Sequence, residues 1–437
     1  MKYFGTDGIR QKAGDFTPEF LAKIIDGLIS YAGDNIKVFL AGDTRESTEW
    51  ILADLESALE TFGIEYANAG VLPTPAINYC FFEMGFDFAI DVTASHNPYQ
   101  DNGIKIFERG EKSGQKLNEK ACEVIENSLI SAKTYALASS TIHESLHDEA
   151  IELYKNHLRN YLGDVNFKDL KIGVDCANGA TSVLGKSVFE ELGANVELIN
   201  ANKTYGQKIN NDCGSTHLDQ LKELVKSKEL DFGVAFDGDG DRVLMVDKNG
   251  NEIDGDEIIA ILANYLNLDK IAITVMANQG LLNWAKENNI ETEITPVGDT
   301  NVSIAMRKKD IKIGGEQSGH IILPGEYTGD GYLTALMIAK VIAETKNPLN
   351  ELASIMTKFP QVIVNLEATP NQKESFKAGA AENLLKEYGE KLTSVSGRLL
   401  VRPSGTENLI RITLWGNNKD KITALANALK NALDEIL

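Results

Sequence analysis

Cysteine is scarce and scattered in this chain. The 437 residues hold four, Cys80, Cys122, Cys176 and Cys213, and no two form a C-x-x-C pair. That excludes a disulfide framework and a zinc ribbon and fits a reducing compartment. Long apolar runs are also lacking: no stretch approaches the roughly 18 residues a membrane span requires. The opening Met1-Lys2-Tyr3-Phe4-Gly5 holds no apolar core of a secretion signal. A cytoplasmic protein with no membrane partner is expected. Basic charge is the third shortage. Lys and Arg number 43 against 64 Asp and Glu, for a net charge of −21. A surface of that sign repels nucleic acid and anionic membranes alike. An anionic ligand therefore needs a locally basic site, which makes the arginines and lysines inside Gly-rich loops informative.

What is present is a globular composition, 43% hydrophobic and 24% charged. The length exceeds one ordinary core, so three or four domains are expected. Short aliphatic runs repeatedly end in Gly, Asp or Asn turns, and helical patterns often follow; Val38 to Asp43, Phe88 to Ser95, Ile172 to Asp175, Phe232 to Asp237 and Ile271 to Gly280 are instances. Near-continuous apolar strands alternating with helices predict α/β layers with sites at the strand ends. A polar stretch around 133–147, a turn at Asp247 to Asn251 and the break at Lys358-Phe359-Pro360 divide the chain into 1–147, 148–249, 250–360 and 361–437. Amphipathic helices are predicted over about 371–388 and 419–436 in the last of these.

Four segments carry chemistry. In Asp237-Gly238-Asp239-Gly240-Asp241-Arg242 the carboxylates alternate, so an extended loop turns all three to one side. Hard oxygens in that arrangement suit Mg²⁺. An EF-hand does not fit, because its sixth position would be Arg242 and its twelfth Lys248. Ser95 sits in Thr93-Ala94-Ser95-His96-Asn97-Pro98, where an apolar run meets a polar turn. Alone it reads as a turn serine; beside a metal site it reads as a carrier of phosphate, whose charge of about −1.5 to −2 the cation would offset. Lys105, on the expected next strand, is a proton carrier or a phosphate contact, or else a surface lysine. In Gly315-Glu316-Gln317-Ser318-Gly319-His320, Glu316 and Ser318 alternate toward sugar hydroxyls and His320 is an acid or base; the plain alternative is a Gly-rich hairpin. Arg402-Pro403-Ser404-Gly405-Thr406-Glu407, with Arg411 beyond it, offers guanidinium groups, hydroxyls and free backbone N–H groups to a phosphate that does not react.

Two patterns mislead. His143-Glu144-Ser145-Leu146-His147 matches H-E-x-x-H but lies in the polar linker, and Gly179 to Gly185-Lys186-Ser187 spaces its glycines one residue too far apart for a P-loop.

Taken in order from Phe4-Gly5-Thr6-Asp7-Gly8-Ile9-Arg10 to Arg411, these motifs resemble the α-D-phosphohexomutase superfamily over essentially the whole chain. The resemblance implies an α/β fold of four domains around a central cleft: three related units with mixed sheets and a smaller C-terminal α+β domain that binds phosphate. It implies that Ser95 is a phosphoserine and holds Mg²⁺ together with Asp237, Asp239 and Asp241. Arg10, Lys105 and His320 would surround the reacting phosphate, Glu316 and Ser318 would grip the sugar, and Arg402, Ser404, Gly405, Thr406 and Arg411 would grip the distal phosphate. The implied reaction is the isomerisation of a small phosphosugar through a 1,6-bisphosphate, by a monomer or homodimer. Gln317 favours the aminosugar branch, which implies glucosamine 6-phosphate, glucosamine 1-phosphate and a hexosamine 1,6-bisphosphate. Thr300 stands where that branch usually has Arg and departs from the aminosugar pattern, so a glucose or mannose phosphomutase is the second reading and a non-catalytic phosphosugar binder the remaining alternative. Gln11, Asn408 and Trp415 also depart from the family pattern.

Overall fold

The computed structural model describes all residues except 6, 136, 138–142, 144 and 405–407. Its strands form four successive sheets. In the first, Glu65–Val71, Lys37–Gly42, Phe88–Val92 and Asp101–Arg109 lie side by side, extended by Gly8–Lys12, Phe4–Gly5 and Gly114–Lys116. The second runs Asn195–Ile199, Lys171–Asp175, Phe232–Phe236, Val243–Asp247 and Glu252–Ile253; the third runs Glu291–Thr295, Lys270–Thr274, Gly314–Gly315 and Ile321–Ile322.

These three sheets share one plan. The first core strand of each pairs in parallel with the second and with the third, and the third then reverses into an antiparallel fourth. The spatial order is 2-1-3-4 each time. Parallel neighbours need a crossover, which helices such as Glu46–Phe62 and Gln279–Glu287 supply, while the third and fourth strands need only a turn. The central strands are buried on both faces: every residue of Phe88–Val92 and of Phe232–Phe236 is buried.

The fourth sheet is antiparallel, with Leu409–Trp415 between Gln361–Glu367 and Arg398–Pro403, covered by Glu382–Leu392 and Lys419–Ile436. It has its own core around Leu366, Leu392, Ile412, Leu414 and Leu429. By contrast one apolar cluster runs through the first three units, from Phe39 to Met356. The helix expected over 371–388 is two helices, Pro370–Lys377 and Glu382–Leu392. Gly379, at φ 94°, lies between them in a conformation that a right-handed helix cannot continue.

Candidate functional site

The turn between the third and fourth strands of each repeated unit carries one of the segments singled out above. Ser95 lies between Phe88–Val92 and Asp101–Arg109, the acidic loop between Phe232–Phe236 and Val243–Asp247, and Glu316 to His320 between Gly314–Gly315 and Ile321–Ile322. The repeat thus brings together loops that are far apart in sequence. Ser95 Oγ donates to Asp237 Oδ2 at 2.7 Å, and Arg242 bridges to His320 through the backbone.

Ser95 is buried and has φ 51°, a left-handed conformation that costs a non-glycine residue on the order of 1 kcal/mol or more. The surroundings hold it there. Its N–H donates to Thr93 Oγ1 at 2.9 Å, and its carbonyl accepts from Arg45 Nη2 and from Asn210 Nδ2, each at 2.8 Å. The same carbonyl would lie 2.5 Å from a Cβ at position 238, so only Gly238 lets the acidic loop approach. That loop is a tight turn rather than the extended segment expected. Gly240 N–H donates to the Asp237 carbonyl, and N–H groups of Thr74, Ala180 and Gly331 donate to the carbonyls of Asp239, Gly238 and Gly240. Donors from three units set its shape, and curling brings the carboxylates together.

Oxygens of Asp237, Asp239 and Asp241 lie within 4.8 Å of one another, and all three residues are buried. Asp239 Oδ1 and Asp241 Oδ1 are buried with no hydrogen-bond partner among the described residues. Burial, reinforced by Asp239 and Asp241, pushes the Asp237 carboxyl well above the usual carboxylate range. Close, orphaned acidic oxygens fit a divalent cation, which supplies the charge they lack.

Lys105 reaches this cluster from the strand beside Ser95, where it is the cross-strand partner of Asp91. Its Nζ lies 2.6 Å from Asp239 Oδ2, 3.3 Å from Asp241 Oδ2 and 3.5 Å from Asp7 Oδ2. Burial opposes its charge, but Asp239, Asp7 and Asp241 outweigh burial and hold its pKa well above that of an ordinary lysine. Asp7 also accepts from Arg10 and, at 2.6 Å, from Lys116. Lys116 pairs in turn with Asp299, whose Oδ2 lies 3.7 Å from His320 Nε2. A chain of alternating charge therefore joins Arg10, Lys105 and His320.

Glu316 Oε1 accepts from Gly298 N–H at 3.1 Å, and Ser318 is exposed. Arg402 and Arg411 are direct cross-strand partners, and Ser404 follows them, buried. Burial and then the neighbouring Arg411 lower the Arg402 pKa, while Glu316 opposes both. Arg402 is thus within electrostatic reach of Glu316. Gly405 and Thr406 lie outside the described residues.

Sequence reasoning missed several members of this constellation. His96 Nδ1 is 3.3 Å from Ser95 Oγ and 3.2 Å from Arg242 Nη1; burial, then Arg242 and Arg10, push its imidazole down to about 4. Its position beside Ser95 was the available signal. Arg45 follows the strand-end Asp43 and could have been found as a polar strand terminus. Lys116 and Asp299 left no local signal. Of the two misleading patterns, His147 Nδ1 is 2.8 Å from the Ala69 carbonyl, and Glu144 is outside the described residues. Gly179 packs against the acidic loop, its absent Cβ leaving room for the Gly238 carbonyl.

The comparisons agree with this architecture. The phosphoglucomutase/phosphomannomutase α/β/α domains I, II and III match residues 1–136, 152–250 and 254–359, and the C-terminal domain of the same family matches 343–432. The chain belongs to the phosphoglucomutase/phosphomannomutase family and is a phosphosugar mutase, an isomerase. It is similar to phosphoglucosamine mutases from Caldicellulosiruptor bescii, 40% identical over 451 aligned positions covering 100% of this chain and 99% of that one. Those of Clostridioides difficile (38%; 100% and 99% covered) and Staphylococcus haemolyticus (40%; 98% and 97%) are similar too. A phosphoglucomutase/phosphomannomutase family protein from Burkholderia thailandensis shares the fold at TM-score 0.78 and 21% identity, with 99% and 97% of the two chains covered. So does Aspergillus fumigatus N-acetylphosphoglucosamine mutase, solved with GlcNAc-6P and magnesium, at TM-score 0.62 and 17% identity, with 99% and 96% covered.

Proposed function

We propose that this chain interconverts glucosamine 6-phosphate and glucosamine 1-phosphate through a phosphoserine at Ser95 and a glucosamine 1,6-bisphosphate. The observation that carries the reading is the 2.7 Å contact between Ser95 Oγ and Asp237 Oδ2, which joins a strained, buried hydroxyl to the acidic cluster. Full-length similarity to phosphoglucosamine mutases supports the choice of sugar. The units we assign are 1–147 for the phosphoserine, 148–249 for the metal, 250–360 for the sugar and 361–437 for the distal phosphate, in a cytoplasmic enzyme.

Asp237, Asp239 and Asp241, with a phosphate on Ser95, would hold Mg²⁺, which would offset the charge on the transferring group. The other roles belong to side chains. Arg402, Ser404, Gly405, Thr406 and Arg411 hold the 6-phosphate, and Glu316 and Ser318 orient the ring. The Oγ–P bond of phosphoserine breaks as the bond from phosphorus to O1 forms. His320 takes the O1 proton, and Asp299 stabilises the resulting imidazolium; Lys105 protonates the departing Oγ. Arg10, fixed by Asp7, balances the phosphoryl oxygens. The bisphosphate then turns end for end. Ser95 Oγ returns its proton to Lys105 as it accepts the phosphoryl group from O6, and His320 returns its proton to O6. One arginine pair serves both half-reactions, because it binds whichever phosphate is idle.

A glucose or mannose phosphomutase is the second reading, because Thr300 departs from the aminosugar pattern and lines a cavity of about 300 Å³ beside Lys116, Asp299 and His320. Incubation with Mg²⁺, a trace of hexose 1,6-bisphosphate and competing glucosamine, N-acetylglucosamine, glucose and mannose phosphates decides between them. Preferential exchange of the glucosamine pair is expected. Preference for glucose or mannose favours the second reading, and binding without exchange of any sugar rules out both.

A further inference from the structure

The segment joining the third and fourth units is held more tightly than a plain linker. Asn278 Oδ1 accepts from Phe359 N–H at 2.9 Å, while Asn278 Nδ2 donates to the Phe359 carbonyl at 3.0 Å. Both backbone polar groups of one residue are therefore tied to the third unit. Lys358, one residue earlier, extends its ammonium group to Asp254 Oδ2 at 2.7 Å and Glu257 Oε2 at 3.0 Å. Strand Gln361–Glu367 begins immediately beyond and pairs along its whole length with Leu409–Trp415, the strand that bears Arg411.

Asp254 is not committed to Lys358 alone. It caps helix Gly255–Tyr265 in a capping box with Glu257, so its backbone and Oδ1 are fixed. The other oxygen, Oδ2, also accepts from Gln317 Nε2 at 3.1 Å. Gln317 lies between Glu316 and Ser318 in the sugar loop, and its side chain is spent on Asp254. The backbone locks the loop to the same cap: Gly255 N–H donates to the Gln317 carbonyl at 3.0 Å. A Cβ at position 255 would come within 2.1 Å of the Glu316 carbonyl. A displacement of the sugar loop cannot leave the cap undisturbed.

We infer that Gln317, Asp254 and Lys358 form a relay that couples occupancy of the sugar loop to the pose of the C-terminal phosphate-binding unit. A single carboxylate oxygen is shared by a donor from the substrate loop and a donor from the joining segment, so strengthening either bond redirects the other. All three are positioning residues; none touches the reacting atoms. Their work is to bring the Arg402–Arg411 pair into reach of the idle phosphate when the sugar is seated, and to keep it there while the bisphosphate turns. The relay rests on the functional reading above for the role of Glu316 and Ser318.

The test is a double-mutant cycle on the full-length enzyme with Gln317→Leu and Lys358→Met, which remove the donors and keep the apolar stems. Each single variant is expected to raise KM for glucosamine 6-phosphate about five- to tenfold and to release more free bisphosphate per turnover. The double variant should be no worse than the poorer single one, and Lys358→Arg should restore KM. Effects that multiply, or single variants with unchanged KM and bisphosphate release, overturn the relay. Hydrogen exchange on the wild-type enzyme provides a measurement free of folding effects. Glucosamine 6-phosphate should slow exchange in residues 356–367 as well as 315–319, and protection confined to 315–319 overturns the coupling. A wild type that exchanges no glucosamine phosphate at all refutes the functional reading itself, a result distinct from an active enzyme whose variants behave independently.

Discussion

Arg45 Nη2 donates to the Ser95 carbonyl at 2.8 Å from a side chain with 0% exposure. The same guanidinium donates to the carbonyls of Asn97, Pro98 and Asp101, while its Nε pairs with the equally buried Asp43. One planar fork thus determines the course of the loop that presents Ser95. Lysine has the charge but not the fork. An ammonium has three donors, so Arg45→Lys loses at least two of these five hydrogen bonds, at about 1.5–3 kcal/mol each for bonds to a charged group. The expected result is a lower unfolding midpoint together with a fall in turnover of about tenfold or more, since one misplaced ångström at a reacting centre costs about a hundredfold. Parallel denaturant titration and exchange assays check both.

Ser95→Ala removes the hydroxyl without touching the carbonyl that Arg45 and Asn210 hold. The loop keeps its backbone anchors, so the fold should survive while exchange falls by roughly three orders of magnitude or more. Phosphorus NMR on the variant should lack a phosphoserine resonance. Near-normal exchange removes Ser95 from the mechanism.

The sequence made the Ser95, Asp237 and Glu316 segments legible because their chemistry is local: a turn, an alternation and a Gly loop each announce themselves within a few residues. Lys116 and Asp299 were not legible. They pair across 183 residues, and their relevance appears only when two sheets meet. The common 2-1-3-4 strand order was equally hidden, because the third unit completes it with two-residue strands, Gly314–Gly315 and Ile321–Ile322, too short for any periodicity. Helical pattern alone bridged 371–388, since one Gly barely dilutes an amphipathic window although its backbone conformation ends the helix.

Asp239 tests the cation. Its Oδ2 binds Lys105, and its Oδ1 is one of the orphaned oxygens. Asp239→Asn removes one of the three carboxylates and turns either an amide N–H₂ toward Lys105 or a weaker oxygen toward the cation. Half-saturation by Mg²⁺ should shift upward by about tenfold or more, consistent with the sensitivity of metal sites to their immediate partners. Calorimetric titration of the protein with Mg²⁺ reads this without turnover, and an unchanged titration removes Asp239 from the site.

Asp330 gives a pH signature. It caps helix Gly331–Thr345 through Leu333 N–H at 2.8 Å and accepts from Tyr154 Oη at 2.7 Å. Burial still dominates and pushes its pKa up to about 6. A carboxyl raised above its unfolded value binds more protons when folded. Its favourable contribution is complete at pH below the unfolded value near 4 and is lost as pH rises through 6, an effect of about 3 kcal/mol. Asp330→Asn keeps the cap and cannot ionise. Relative to wild type, the variant should gain stability progressively from pH 4 to pH 7 and hold the gain above that. A difference independent of pH contradicts the shift.

Arg402 and Arg411 face each other directly across two strands. Burial lowers the Arg402 pKa by denying it water, and the like charge of Arg411 lowers it further. A half-buried guanidinium held at such a cost gains when an anion approaches it, so Arg402 serves binding rather than the stability of the ligand-free enzyme. Arg402→Ala should therefore not lower the thermal midpoint of the ligand-free enzyme. It should raise KM for the phosphosugar by about tenfold or more, the scale of a lost charge-assisted contact, with a smaller change in kcat, because the phosphate it holds is the one that does not react. Added inorganic phosphate should raise the midpoint of the wild type more than that of the variant. A kcat loss with unchanged KM would move Arg402 from the distal dock to the reacting end of the cleft.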